Sequence, residues 1–243
     1  MDNATSLGLN RTGTQSSPLT ASSMQSYADA RPPTAVGRDG GIAQMRGNYV
    51  REAERIGSVP LPATLTGAIS TGADKLTGKR PEVLIDKLGE RLAFERGGVR
   101  LYDALIHRAS AHQADGERLP FALDDLQHHR DEELEHMHIV VSALESLGAD
   151  PTAETPSADV TGVASSGIMQ VLSDPRTTIA QSLTAVLTAE LSDHASWELL
   201  VELAIRTGHE RLAEPFRHAL EQETEHVARV RSWLTALVVG EAA

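Results

Sequence analysis

Residues 130–147 read RDEELEHMHIVVSALESL, and residues 219–234 read ALEQETEHVARVRSWL. Each stretch holds Glu-x-x-His inside a run of apolar residues spaced by threes and fours. In the first the stripe is Leu126, His129, Glu133, His136, Val140, Leu144, Leu147. In the second it is Leu212, Phe216, Ala219, Glu223, His226, Val230, Trp233, Leu237. That spacing marks a helix with one buried face. Residues three apart on a helix point to the same side, so each Glu-x-x-His offers one oxygen and one nitrogen to a single point in the interior. A further pair, Glu135 and His138, lies on the face His128, Asp131, Glu135, His138, Ser142, Glu145, which is polar throughout and is assigned to solvent. Glu132 and Glu225 are likewise off the stripe.

Two more segments carry the same periodicity. One spans about 81–111, with Pro81 suited to the first helical position and a stripe of Ile85, Leu88, Leu92, Glu95, Val99, Tyr102, Ile106. The other spans about 175–207, with Ser173 or Asp174 as cap and Gly208 at its end. Its stripe is Ile179, Leu183, Val186, Glu190, His194, Trp197, Val201, Ala204. The Glu-x-x-His helices are expected over 119–147 and 209–238, with Pro215 starting or kinking the latter. Each of the other two helices has a lone glutamate on its apolar face, followed seven residues later by Tyr102 or Trp197. The chain thus repeats itself as a Glu helix followed by a Glu-x-x-His helix.

Short links near Ala114–Arg118 and at Gly208 make antiparallel neighbours. Residues 148–173, rich in Gly, Ser, Thr and Pro, join the two hairpins. A 29-residue helix is roughly 44 Å long, and 26 extended residues reach roughly 86 Å. The connection can therefore run back along the bundle, so that the third helix starts at the same end as the second. The expected fold is all-α, a four-helix bundle over 81–240 made of two helical hairpins and one long crossover.

An unpartnered carboxylate in an apolar core costs several kcal/mol or takes up a proton. Four of them facing one another repel. Two divalent cations balance Glu95, Glu133, Glu190 and Glu223, and His136 and His226 complete a nitrogen and oxygen donor set suited to iron or manganese.

At these residues the sequence resembles the ferritin-like superfamily, particularly bacterioferritin and rubrerythrin-type diiron domains. The resemblance covers about 81–238 and extends beyond the ligands through LAFERGGVRLYDALI (92–106) and the two stretches quoted first. It implies two bound irons and redox chemistry with O₂ or peroxide. Carried over, Glu95 and Glu190 are terminal carboxylate ligands, Glu133 and Glu223 bridge the metals, and His136 and His226 each bind one. No catalytic residue beyond these ligands is implied. The chain departs from rubrerythrins at Asp193, where they carry a longer carboxylate, and in lacking a Cys-rich electron-transfer module. A discrete dimetal centre is better supported than a mineral store.

The other 80 residues read differently. Residues 1–80 carry a net charge of +3 and residues 81–243 one of −15, for −12 over 243 residues, and all ten histidines follow residue 80. The Ser-, Thr- and Gly-rich first 58 residues show no sustained period and read as a flexible, disordered extension, with one short helix around Ile42–Ile56; residues 59–80 read as an extended lead-in. Cysteine is absent, which excludes disulfides, thiolate zinc sites and iron–sulfur clusters. An acidic body repels nucleic acid. No apolar run is long enough for a membrane span, and no secretory signal is visible. A cytoplasmic protein without nucleic-acid or membrane partners is expected; assembly as a homo-oligomer is left open.

Among single residues, His194 reads as a core histidine or a partner to a ligand carboxylate. His129 reads as structural near the bundle end. Tyr102 and Trp197 read as packing or as hydrogen-bond donors beside the metals. Gly97-Gly98 reads as a close approach beside Glu95. The expected activity is oxidation of Fe²⁺ by O₂ or H₂O₂, or peroxide reduction with an external electron donor. A dimanganese catalase-like enzyme is the nearest alternative. A non-enzymatic helical stress or interaction protein with a structural or vestigial site is the other.

Overall fold

The computed structural model describes residues 21–31, 40–60 and 80–243. All of its regular elements among these residues are helices. Two lie in a unit ending at Arg55: α1, Ala21–Ala30, and α2, Gly40–Glu52. The helix expected around Ile42–Ile56 is α2; α1 has no apolar period and was not expected. The remainder of the extension and most of the 59–80 lead-in lie outside the described residues.

The second unit holds α3 (Pro81–Ala114), α4 (Leu123–Ser146), α5 (Pro156–Ser173), α6 (Ile179–Thr207) and α7 (Glu210–Ala242). The four expected helices are α3, α4, α6 and α7, and their starts follow local chemistry. Pro81 opens α3 with Glu82 in its first turn. Pro120 keeps Leu119 out of the helical region, so α4 begins at Leu123 rather than 119, with the Ala122 N–H donating to Asp125 at 3.0 Å. Thr178 and Gln181 form a reciprocal capping box. That box places the start of α6 at Ile179, not 175, and Asp174 instead closes α5. Pro215 sits inside α7 in its second turn, where its missing N–H leaves the Arg211 carbonyl without its helical donor.

The crossover is a helix, not the loop its composition suggests. α5 is fastened to α3 at both ends. At its start the Asp86 carboxylate accepts from the Ser157 N–H at 2.9 Å and from the Ser157 hydroxyl at 2.6 Å. Thr155 caps α5 by accepting from the Ala158 N–H, and its own hydroxyl donates to the Asp86 carbonyl. A Cβ on Gly89 would lie 2.5 Å from Thr155 Oγ1 and 2.6 Å from its Cγ2, so the glycine makes room for the capping Thr155 side chain. At the far end Arg108 donates to the carbonyls of Leu172, Asp174 and Thr177. An anion at the helix start and a cation at its end also suit the helix dipole. Arg108 thereby ties the start of α6 to the end of α3, so α4 and α6 do begin at the same end of the bundle.

The interior is divided. One apolar cluster contains Leu84, Leu88, Leu92, Val140, Trp197, Leu200 and Phe216. Another contains Leu101, Leu105, Leu126, Leu183, Val186, Val230 and Trp233. The glutamates and histidines occupy the layer between them. Val99, Ile106 and Val201 are only half-buried; Leu101, Leu105, Ala109 and Leu200 take the inner positions. A straight helix drifts about 20° per seven residues against a strict seven-residue stripe, so the buried face moves off the stripe along a long helix. No helix among the described residues is long and apolar enough to cross a membrane.

Candidate metal centre

Six expected side chains meet in that middle layer. Glu95 comes from α3, Glu133 and His136 from α4, Glu190 from α6, and Glu223 and His226 from α7. None is more than 3% exposed. They fall into two groups whose ligand atoms lie within 4.8 Å of one another: Glu133, Glu190, Glu223 and His226, and Glu95, Glu133 and His136. Glu133 belongs to both. Glu223 Oε1 lies 3.0 Å from His136 Nδ1 and 3.4 Å from His226 Nδ1, so it too faces both histidines. Glu190 Oε2 and Glu133 Oε1 are each 3.5 Å from His226 Nδ1, and Glu95 Oε2 is 3.9 Å from His136 Nδ1.

The outer ring nitrogens are held from behind. His226 Nε2–H donates to Glu132 Oε2 at 2.8 Å. Gln222 spends its NH₂ on Glu132 Oε1 at 2.8 Å, which leaves its oxygen to accept from His136 Nε2–H at 3.0 Å. With Nε2 engaged behind both rings, both Nδ1 atoms face the middle of the site. Glu132, read from the sequence as a solvent residue, is thus one side of a bracket that aims two imidazoles. Its carboxyl is opposed by burial, yet the hydrogen bonds from His226 and Gln222 outweigh this and lower its pKa to about 2. The signal available in the sequence was adjacency: Glu132 and Gln222 each precede a stripe glutamate.

Further residues complete the surroundings. Tyr102 donates its hydroxyl to Glu190 Oε1 and lies 3.0 Å from His129 Nδ1, whose N–H then donates to the phenol oxygen. His129 stacks on His226 with ring centres 4.1 Å apart. It belongs to the centre rather than to the bundle end, and it is neutral: burial, then the neighbouring His226 charge, lowers its pKa to about 3. Tyr102 is a hydrogen-bond donor to the site, whereas Trp197 packs edge-on against His136 and tilted on Phe216. His194 is neither core residue nor ligand partner; it is partly exposed and faces Glu198 on its own helix. Asp193, rather than the stripe residue His194, takes the inner position. It is claimed by Arg91, whose guanidinium forms an ion pair with Asp193 Oδ1 at 2.8 Å, donates to the Asp193 backbone carbonyl, and lies 3.0 Å from Glu95 Oε1. Arg91, 2% exposed, escaped the sequence reading because a lone arginine on a helix gives no sign of being buried.

The close approach expected at Gly97-Gly98 resolves to one residue. A Cβ on Gly98 would fall 2.2 Å from Glu133 Oε2, so the glycine is the cradle of the carboxylate shared by both groups. Nothing comes within 4 Å of a Cβ built on Gly97.

Electrostatics show what this layer demands. Burial, followed by the charge of a neighbouring carboxylate, pushes Glu95, Glu133 and Glu223 well above the usual carboxylate range. Glu190 is held below it: burial opposes this, but the neighbouring His226 and the Tyr102 hydroxyl bound to Glu190 Oε1 outweigh it. Both Glu95 oxygens, both Glu223 oxygens, Glu133 Oε2, Glu190 Oε2 and both histidine Nδ1 atoms lack a hydrogen-bond partner. So many buried polar atoms left open around one point are the mark of a cation site. Arg91 and Asp193 cancel, leaving four carboxylates whose charge two divalent ions balance. The donors are oxygen and imidazole nitrogen without sulfur, which fits iron or manganese.

A family model described as a ferritin-like domain matches residues 85–238. No curated protein and no solved structure matches the chain.

Proposed function

The chain belongs to the ferritin-like domain family, and from that membership we propose that it is a dimetal carboxylate protein, binding two irons and acting as an iron or peroxide oxidoreductase. The observation that carries this reading is the pair of ligand groups sharing Glu133, with two Nδ1 atoms turned inward onto four carboxylates. When bound, a pair of irons supplies the redox equivalents that reduce O₂ or peroxide. In this reading Glu95 and Glu190 would each hold one metal, Glu133 and Glu223 would be shared by both, and His136 and His226 would serve one metal each. The protein neutralises the cations, fixes both imidazoles through Glu132 and Gln222, steadies Glu190 through Tyr102, and keeps bulk water out with an apolar cluster on either side. The carboxylate and imidazole donors serve manganese as well, so the test names the element.

Metal analysis of the purified protein is expected to give two irons per chain. Glu133→Ala and His226→Ala are each expected to lower that content. Aerobic addition of Fe²⁺ to metal-free protein is expected to accelerate its oxidation over buffer, with H₂O₂ as the oxidant to compare. Manganese in the purified protein together with O₂ release from H₂O₂ would transfer the assignment to a catalase-like enzyme. A protein that takes up no metal and whose melting temperature ignores added metal would be a helical interaction protein instead.

A further inference from the structure

The two terminal carboxylates are held in matching ways by unlike partners. Each uses one oxygen outward and turns the other toward a histidine Nδ1. Glu190 Oε1 accepts from the neutral Tyr102 phenol, and Glu190 Oε2 faces His226. Glu95 Oε1 lies against the Arg91 guanidinium, and Glu95 Oε2 faces His136. Arg91 is in turn bound to Asp193 through both the carboxylate and the backbone carbonyl. A cation beside one of two otherwise comparable positions repels a second cation there and withdraws charge from its ligand oxygen; a phenol does neither.

Resting on the dimetal reading above, we propose that Arg91 is a positioning residue that makes the two metal positions unequal. The position bounded by Glu95 and His136 binds weakly and exchanges; the one bounded by Glu190 and His226 binds tightly and fills first. Asp193 is no ligand. It sets how much of the Arg91 charge the weak position feels.

The test is titration of the metal-free, full-length protein with Co²⁺, followed by visible absorption and calorimetry. Wild type is expected to take two ions in separate steps. Repulsion between two bound ions would also separate the steps, so single-position variants decide. Glu95→Ala is expected to keep one ion at the tight affinity, and Glu190→Ala to keep one ion bound about tenfold or more weakly. Arg91→Gln is expected to strengthen the weak step and Asp193→Asn to weaken it, each by about tenfold, with the tight step nearly unmoved and Arg91→Lys like wild type. Equal affinities in the two glutamate variants would overturn the proposal while leaving the dimetal reading intact. So would Arg91→Gln and Asp193→Asn moving the weak step in the same direction, as a merely structural pair would. Should Arg91→Gln fail to fold, Asp193→Asn and Arg91→Lys decide alone: an unmoved weak step in Asp193→Asn overturns the proposal. Wild type that binds no Co²⁺ overturns the dimetal reading and the proposal with it.

Discussion

A methyl group at residue 98 would sit 2.2 Å from Glu133 Oε2 and 2.8 Å from its Cδ. Gly98→Ala should gain about 1 kcal/mol of helix propensity and yet lose metal, because the carboxylate common to both groups is pushed aside. The expected result is less than half the wild-type metal content and a melting temperature that no longer rises when metal is added. The same substitution at Gly97, where nothing lies within 4 Å, should raise stability and leave metal content alone. Behind the histidines, Glu132→Gln keeps the shape of the bracket but removes the anion facing His226 Nε2. Metal affinity is expected to fall by about 10–100-fold, with the far-ultraviolet dichroism unchanged. Gly98 could be suspected from its place in a helix. Its function could not, since the atom it makes room for lies 35 positions along the chain.

α5 depends on its ends. Its composition is poor for a helix, with Gly162 and Gly167 in the interior, and Val160 and Val163 are exposed. Of its residues only Leu172 is buried. It is fastened at its ends by Asp86, Thr155 and Arg108 and laterally by Ile168 and Met169 beside Leu172. Asp86→Ala and Arg108→Ala should each cost about 1–2 kcal/mol and should cut amide-exchange protection selectively over 156–173. Metal content should stay at the wild-type level, because no ligand lies on α5. Loss of metal in either variant would mean that the crossover helix helps to shape the centre. The long helices behave otherwise. Their apolar faces are continuous enough to be read directly: α4 starts four residues late, at Leu123 after Pro120, and α7 runs to Ala242 rather than 238, while their other ends fall within a residue of expectation.

For the whole bundle, the middle layer opposes folding when it is empty. Glu95, Glu133 and Glu223 titrate above their unfolded values. Their stabilising contribution is therefore present below the ordinary carboxylate pKa and is lost as pH rises through the raised values. His226 is also raised, because hydrogen bonds to Glu132 and the site carboxylates outweigh burial, and its contribution is likewise lost with rising pH. Glu190, Glu132 and His129 run the other way, but of these only His129 still gains above pH 5, as its unfolded form loses its proton near 6.5, and it stands against four raised groups. Metal-free protein should accordingly melt higher at pH 5 than at pH 8. Metal reverses the order, since divalent cations displace those protons, and binding at pH 6 should release measurable acid. At a hundred times its dissociation constant a bound ion adds about 2.7 kcal/mol, so chelation at pH 8 should lower the melting temperature by several degrees.

Periodicity was sufficient to read an all-helical bundle, the order of its helices and the six side chains that meet, because a helix repeats every 3.6 residues and displays its buried face in one dimension. The ferritin-like resemblance read from those residues agrees with the family match over 85–238. Contacts between helices are not written in any local period. Arg91 against Glu95 and Asp193, Glu132 and Gln222 behind the two rings, Tyr102 on Glu190, and Asp86 and Arg108 at the ends of α5 came into view only when the helices were packed. All four arrangements join residues from different helices, and which of two neighbouring positions turns inward is decided by how the partners fit.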